Sequence, residues 1–547
     1  MQLLNRRIGL LFGLFLVLLG CAVARATWLT TVKAADLKSR ALSQQVDDID
    51  VPAARGSILD RHGLDLAVSE EAVTVYANPF LIKNPAKTAS KLAPLIGVPD
   101  TDVLRQISDP RKGFVYLKRK LPGSAGAKVE KLKIEGIGTM IEPKRTYPQA
   151  ALASQLIGTV GTDNVGLSGL ENKFDKDLHG RDGKRRVVKD ALGDPVSIVD
   201  VRRAEAGKDV KLTLDATLQE RVEAVLADVG QTYRPAGATA LVMDPRTGAL
   251  LALANWPRVD ANDISAAPPY ARQNRAVAAA YEPGSTFKAI TISGALQEGL
   301  VTPDTPFDIP PQIQVADRTI KDAEEHGYEN LTVARILAQS SNIGAVKIGM
   351  RLGPDRFDSW VRKFGFGNAT GVDLPGESPG IVLHPQQYSG SSMGNLPIGQ
   401  GIAVTPIQMA QAYNAIANGG VMHQPYVVDG DQKPGKRVLS KATARQVAKM
   451  LEGVLGPGGT ASEAAIPGYT LAGKTGTAQK ADPINGGYSK YKYVASFIGF
   501  APARNPRLEV AVMVDEPQGA IFGGVVAAPA FQKIISFALP YLRIPPR

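Results

Sequence analysis

Residues 8–24 form a run of 17 without a charged side chain, and Arg6 and Arg7 stand immediately before it. No other feature restricts the chain as much. An apolar run of this length is at home as a helix in a bilayer, where every backbone N–H and C=O must be satisfied within the segment. Arg25 interrupts the run, and apolar or small residues continue to Val32, so residues 8–32 are read as a transmembrane anchor. Positive charge ahead of the span places residues 1–7 in the cytoplasm as a short tail, with the remainder outside. Two other readings stay open. Ala22-Val23-Ala24 would serve as the cleavage site of a signal peptide. Leu18-Leu19-Gly20-Cys21 loosely matches a lipoprotein box, with Leu a poor fit before the Gly. Apolar character persists past both sites, which favours an uncleaved anchor. All three readings put the bulk of the chain outside the cytoplasm.

What lies outside is folded and too long for one core. The chain has 547 residues, 44% apolar and 21% charged, which fits two or three globular domains. Lys and Arg number 63 against 52 Asp and Glu, a net charge of +11. No dense basic block with interleaved aromatics accompanies it. The charge therefore argues against nucleic acid as a partner and for a basic surface facing an anionic membrane or polymer. Cys21 is the single cysteine, so no intramolecular disulfide or cysteine-based metal site can form, and one lone thiol suits an oxidising compartment. His62, His179, His326, His384 and His423 are far apart and lack zinc-binding spacing. Neither a metal nor a cofactor is expected.

After the anchor, residues 32–50 are polar and compatible with a helix. A turn-rich stretch at 52–63 leads into an alternating strand at 66–76, and residues 88–95 are amphipathic. Residues 50–210 read as one α+β module with little catalytic character. Composition then shifts. Asp215 is a candidate N-cap for a helix running to about Gly230. Apolar strands at 238–243 and 249–256 flank Asp244-Pro245-Arg246-Thr247-Gly248, a hairpin signal. A second hairpin joins 493–500 to 508–514. Helical patterns fill the space between the hairpins. A sheet built from distant segments, with helices packed on it, follows.

Three motifs in that region carry chemistry. Pro283-Gly284 stops the chain ahead of a helix, so Ser285 sits at its N-terminus and Lys288 lies one turn along on the same face. A serine so placed can be a nucleophile with the lysine as its base, provided that the lysine is neutral through burial or a neighbouring cation. The plain alternative is a capped helix and a solvated charge. Ser340-Ser341-Asn342 falls on a tight turn between apolar-periodic helices at 331–338 and 343–350, where Ser and Asn would ordinarily be caps. Lys474-Thr475-Gly476-Thr477 lies in a strand-like run, 470–479. Its Gly would let a substrate backbone lie alongside an edge strand, and its Lys and Thr could bind a carboxylate. The plain alternative is a solvated strand end.

Each motif alone is weak. The pattern S-x-x-K arises about once or twice by chance in such a chain, and Ser489-Lys490-Tyr491-Lys492 is a second instance. That one follows Lys474-Thr475-Gly476-Thr477 and has no S-x-N after it. The order S-x-x-K, S-x-N, K-T-G-T is the layout of penicillin-recognising serine acyltransferases.

With this order the chain resembles the class B penicillin-binding proteins, D,D-transpeptidases of bacterial peptidoglycan, over nearly its whole length. The stretch from Tyr281 through Gly299 is similar to the family's active-serine segment. Arg55-Gly56-Ser57-Ile58-Leu59-Asp60-Arg61, Tyr147-Pro148 with Ile157-Gly158, and Gly166-Leu167-Ser168-Gly169-Leu170-Glu171 look like its three pedestal motifs. The resemblance implies an α+β architecture. It has a membrane helix, an extended non-catalytic pedestal over 33–215 and a transpeptidase domain over 216–547. The last is a central antiparallel sheet flanked by helices, β-lactamase-like. The compact pedestal looks most like the division branch, with the elongation branch similar.

The resemblance also implies roles. Ser285 would attack the carbonyl between two D-Ala residues, Lys288 would take its proton, and Ser340 would relay a proton to the leaving amine. Asn342 would orient Lys288 or the substrate amide. Lys474 would help keep Lys288 neutral and, with Thr475 and Thr477 beside Gly476, hold the terminal carboxylate. The N–H groups of Ser285 and Thr477 would form the oxyanion hole. Gly399-Gln400-Gly401 with Thr405-Pro406 is taken as structural. Implied partners are lipid-linked peptidoglycan stem peptides, penicillin and other β-lactams, the membrane, a polytopic SEDS-type glycosyltransferase and other division proteins. A D,D-carboxypeptidase or β-lactamase carries the same triple but needs a water-activating group. A penicillin sensor would need a signalling domain across the membrane, and an inactive scaffold usually lacks the serine or the lysine.

Overall fold

The computed structural model describes residues 2–34, 46–189, 195–482, 484 and 486–546. Helix α1 (Gln2–Thr31) contains a long, predominantly apolar stretch, Arg6–Thr31, with none of it buried. At about 1.5 Å per residue that stretch exceeds the roughly 30 Å of a bilayer core. Arg25 does not end the helix. Its guanidinium lies 5.2 Å from the Trp28 ring centre, and the Lys33 amine lies 5.4 Å from it. Long cationic side chains beside a Trp are the grouping that anchors a helix end at a lipid–water boundary.

The chain sorts into two compact units that do not follow chain order. The first gathers Met1–Ala54, Glu71–Pro143 and His179–Gly207. Within it, strand Gly183–Lys189 pairs antiparallel with Val46–Val51 on one side and Pro195–Arg202 on the other. The helix expected over 32–50 is thus a strand from Val46 onward; residues 35–45 lie outside the described residues. A separate small core packs Val75 and Leu117 of two paired strands against Leu92 and Ile96 of helix Pro85–Ile96 and Val103 of helix Asp100–Ile107.

The second unit gathers Arg55–Glu70, Lys144–Leu178 and Lys208–Arg547. Here the first and third pedestal motifs meet through Arg145, two residues ahead of Tyr147. Glu171 accepts from Arg55 Nε at 2.7 Å and from Arg145 Nε at 2.6 Å, with all three side chains shielded from solvent. The Arg145 guanidinium also bonds the Gly56 carbonyl at 2.8 Å. Arg55, Arg145 and Glu171 therefore close one buried charge cluster.

The remainder of this unit is built on α2 (Ala216–Tyr233), β1 (Gly237–Met243), β2 (Leu250–Trp256), α3 (Lys288–Gln297), α4 (Val333–Gln339), α5 (Asn342–Leu352), α6 (Pro406–Ala417), β3 (Ala472–Ala481), β4 (Tyr488–Ala501), β5 (Leu508–Asp515) and α7 (Ala528–Tyr541). Asp215 caps α2, accepting from the Leu218 N–H. The five strands form one antiparallel sheet in the order β2-β1-β5-β4-β3. Both expected hairpins are present, and β4 begins earlier than the apolar pattern indicates because its first residues are half-exposed or exposed. Helices α2 and α7 pack on each other and on the sheet, with Phe531 of α7 4.5 Å from Phe497 of β4. Helix α6 packs on β5 and β4 from the opposite face. Burial from both sides explains why the strands read as continuous apolar runs rather than alternating ones. The strand β3 ends the sheet, and its outer edge is unpaired among the described residues.

Glu509 of β5 breaks the apolar rule. It is fully buried, and neither carboxyl oxygen has a hydrogen-bond partner among the described residues. Burial raises its pKa well above the ordinary 4.5. The folded chain therefore keeps a proton that the unfolded chain releases as pH rises past the ordinary value, and stability falls with rising pH. Glu509→Gln removes this loss. Thermal melts at stepped pH are expected to show the variant gaining on wild type from about pH 5 upward, by at most about 1.4 kcal/mol per pH unit. Parallel curves would show that the carboxyl finds a partner.

Candidate active site

The Pro-Gly stop and the helix after it are both present. A single turn of 3-10 helix, Gly284–Phe287, leads into α3 at Lys288. Ser285 sits half-buried in that first turn, where backbone N–H groups have no intrahelical acceptor. Tyr413 of α6 supports the turn from beneath, donating its hydroxyl to the Thr286 carbonyl at 2.7 Å. Gly399 supports it from the side. Its carbonyl accepts the Gly284 N–H at 3.0 Å, and a Cβ at Gly399 would stand 2.3 Å from the Gly284 carbonyl oxygen. The Gly399-Gln400-Gly401 stretch thus earns its glycine by close approach to the serine turn, and Thr405 caps α6 through a reciprocal box with Gln408.

Lys288 is fully buried. Its amine donates to the Ser340 carbonyl at 2.5 Å, to Asn342 Oδ1 at 2.7 Å and to Ser340 Oγ at 3.2 Å. These acceptors come from the turn between α4 and α5, where Ser340 adopts a left-handed conformation with φ 63°. That conformation aims the Ser340 carbonyl and hydroxyl at one point. Of the three residues, Ser341 is the true cap: its Oγ accepts the Gly344 N–H at 3.0 Å. Asn342 is the first residue of α5 and donates its amide to the Lys321 carbonyl at 2.9 Å, which leaves its oxygen for Lys288. Leu331, read as the start of α4, belongs instead to strand Glu329–Thr332. No bond joins Ser285 Oγ to the Lys288 amine among the described residues; the amine's bonds to Ser340 and Asn342 all go to the α4–α5 turn.

Lys474, Thr475, Gly476 and Thr477 lie in β3 at the sheet's open edge. Alternation sends Lys474 and Gly476 to one face and Thr475 and Thr477 to the other. Lys474 is fully buried, and its amine lies 3.2 Å from both the Thr475 carbonyl and the Thr475 hydroxyl. The Thr475 hydroxyl meets that of Thr460 at 2.7 Å, and the Thr477 hydroxyl accepts the Gly523 N–H at 3.0 Å. Gly476 also has close neighbours within the protein. A Cβ there would stand 2.3 Å from Ser496 Oγ, 2.9 Å from the Pro283 carbonyl and 3.0 Å from Thr286. The missing side chain admits the serine turn against β3.

Burial dominates the electrostatics. It lowers Lys288 from an ordinary 10.5 to about 7, with Asp322 acting the other way. Burial also holds Lys474 well below 10.5, and the charge of Lys288 adds to the effect. Two buried amines without a carboxylate between them do not both keep a proton near neutrality.

Sequence reasoning missed Asp322. Its carboxylate accepts from the Ser341 hydroxyl at 2.8 Å, from the Ile343 N–H at 3.0 Å and from the Asn342 N–H. It caps α5 from a distant loop, so no local spacing marks it. The second S-x-x-K is ordinary: the Ser489 hydroxyl accepts the Lys492 N–H at 3.1 Å, and Lys492 pairs with Glu516 at 3.3 Å on the surface. A cavity of about 720 Å³ lined by Arg246, Lys441, Arg445 and Arg504 shares no residue with the motifs.

A serine turn, a buried lysine and a lysine-bearing edge strand on a five-stranded antiparallel sheet define an acyltransferase of the penicillin-recognising type. The family described as penicillin binding protein transpeptidase domain matches residues 238–536, and the penicillin-binding protein dimerisation domain matches 50–212. A probable peptidoglycan D,D-transpeptidase PenA of Neisseria gonorrhoeae is 34% identical over 550 residues, covering 99% of this chain and 94% of its own. The peptidoglycan D,D-transpeptidase FtsI of Escherichia coli is 33% identical over 99% of this chain and 92% of its own. The crystal structure of penicillin-binding protein 3 from Mycobacterium tuberculosis with aztreonam superposes with a TM-score of 0.71 at 32% identity, covering 91% of this chain and 98% of that one. The chain belongs to the class B penicillin-binding proteins.

The packing at Gly476 yields a test. Gly476→Ala must push the serine turn off β3, because the Pro283 carbonyl cannot rotate away as a side chain can. The rate of covalent labelling by a fluorescent penicillin is expected to fall at least about tenfold, the loss expected when a reacting group is misplaced by a fraction of an ångström. The melting temperature should drop only modestly. Unchanged labelling would show that the turn has slack.

Proposed function

We propose that the protein is a peptidoglycan D,D-transpeptidase that cross-links stem peptides through an acyl-enzyme on Ser285, working at the division septum. The observation that carries the reading is the buried Lys288 amine, held by Ser340 and Asn342 one turn from Ser285. An amine with a pKa of about 7 is in large part free of its proton at neutral pH. It can accept the serine proton as the hydroxyl attacks the carbonyl between two D-Ala residues. The N–H groups of Ser285 and Thr477 would receive the developing oxyanion, each worth about 3–4 kcal/mol in such sites. Ser340, already within 3.2 Å of the Lys288 amine, would pass the proton on to the departing D-Ala. The terminal carboxylate would bind at Thr475, Thr477 and Lys474. Its negative charge would favour the protonated form of Lys474 and thereby the neutral form of Lys288. A side-chain amine of a neighbouring stem peptide would then release the acyl group and form the cross-link. A β-lactam would acylate Ser285 and remain.

The anchor reading places α1 across the inner membrane, with the N-terminus cytoplasmic and the catalytic unit outside. Arg6 and Arg7 support that orientation. A SEDS-type glycosyltransferase and other division proteins are the proposed partners, on the strength of the division-branch resemblance and of FtsI among the relatives.

Penicillin incubated with the full chain in detergent should leave a long-lived mass increment on Ser285, and Ser285→Ala should leave none. Rapid loss of the increment with release of penicilloate would mark a β-lactamase instead. Acylation should rise with pH through about 7 and then level, because the reactive form of Lys288 is the deprotonated one and its folded value is about 7. A rate that falls across that range would rule out Lys288 as the base.

A further inference from the structure

Asp322 stands behind Asn342 and carries a negative charge that favours the protonated form of Lys288. A base that must be neutral is poorly served by an uncompensated carboxylate so close. The compensating group is His326. Its ring lies between two acceptors: Nδ1 is 2.7 Å from the Gly327 carbonyl, and Nε2 is 3.1 Å from Asp322 Oδ2. A carbonyl and a carboxylate oxygen only accept, so both ring nitrogens must carry hydrogen for both bonds to form. A neutral tautomer would turn a lone pair toward one of them. The ring and the carboxylate are both largely shielded, with side-chain exposures of 15% and 12%.

We propose that His326 is a positioning residue of the reaction centre: as an imidazolium it pins Asp322 across the start of α5 and cancels that carboxylate's charge at Lys288. The Gly327 carbonyl and the Asp322 and Glu329 carboxylates are the groups that raise the affinity of His326 for its second proton. Asp322 in turn fixes the Ser341 hydroxyl and the Asn342 N–H, and Asn342 holds the Lys288 amine. The path from His326 to the base therefore consists of four consecutive hydrogen-bonded groups. The inference rests on Lys288 as the base.

The test compares pH profiles of penicillin acylation for the full chain in detergent. In His326→Gln the freed charge of Asp322 should move the rising limb up by about one pH unit. Acylation about half a unit below the wild-type limb should then fall roughly tenfold, while the high-pH plateau stays within about twofold. His326→Arg, which keeps a cation there, should restore the wild-type limb. In an Asp322→Asn background, adding His326→Gln should not move the limb further. Nitrogen-15 imidazole spectra of wild type at about pH 7 should show both His326 nitrogens protonated. An unshifted limb with a uniformly lower rate, or a neutral His326 ring, would overturn the inference. A wild-type profile lacking any limb near pH 7 would instead overturn Lys288 as the base, so the two failures are distinguishable.

Discussion

The site depends on one amine being taken out of water. Among the described residues Lys288 has no carboxylate partner of its own, only a carbonyl, a hydroxyl and an amide oxygen. Neutral acceptors satisfy the donors of an ammonium but do not neutralise it. Desolvation therefore wins, and the amine sits near the point where it can give and take a proton at physiological pH. Had the α4–α5 turn offered an aspartate at 342, the same burial would have fixed the ammonium and left no amine free to take up a proton.

The scaffold is arranged to keep that amine dry and in reach. The sheet supplies an edge, β3, and the serine turn is pressed against it where residue 476 has no side chain. Tyr413, through its hydroxyl, and Gly399, through its carbonyl, hold the other sides of the turn by its own backbone groups. Positioning by backbone contacts is stiff, since peptide groups cannot swing aside as rotamers do. Charges farther out are treated differently. Glu171 bridges Arg55 and Arg145 in a buried ion-paired cluster, whereas Lys288 and Lys474 form no ion pair with a carboxylate among the described residues. Paired burial gives a fixed structure, and unpaired burial gives a shifted pKa.

Much of this was legible in the chain. The hairpins around 244–248 and 503–507 are marked by turn residues between apolar runs, and those runs are continuous because helices cover both faces of the sheet. The motif order was readable because acyl-transfer chemistry requires particular residue types. Partners from loops were not legible. Asp322 and His326 act on residues in another element, and nothing in their own neighbourhood distinguishes them from solvated charges. The purpose of Gly476 was also hidden, since a glycine in a strand shows that something approaches closely but not what. The strand at Val46–Val51 escaped notice because its charged residues break the apolar alternation and its partner, Gly183–Lys189, is far away in sequence.

The account stands or falls on the protonation state of one side chain. Full-length protein labelled with carbon-13 at the lysine ε position, with Lys288 assigned by its absence in Lys288→Arg, reports that state directly across a pH titration. The resonance is predicted to titrate near 7, far below the ordinary 10.5. A midpoint at the ordinary value would mean that the amine remains charged throughout the physiological range and that something other than Lys288 activates Ser285.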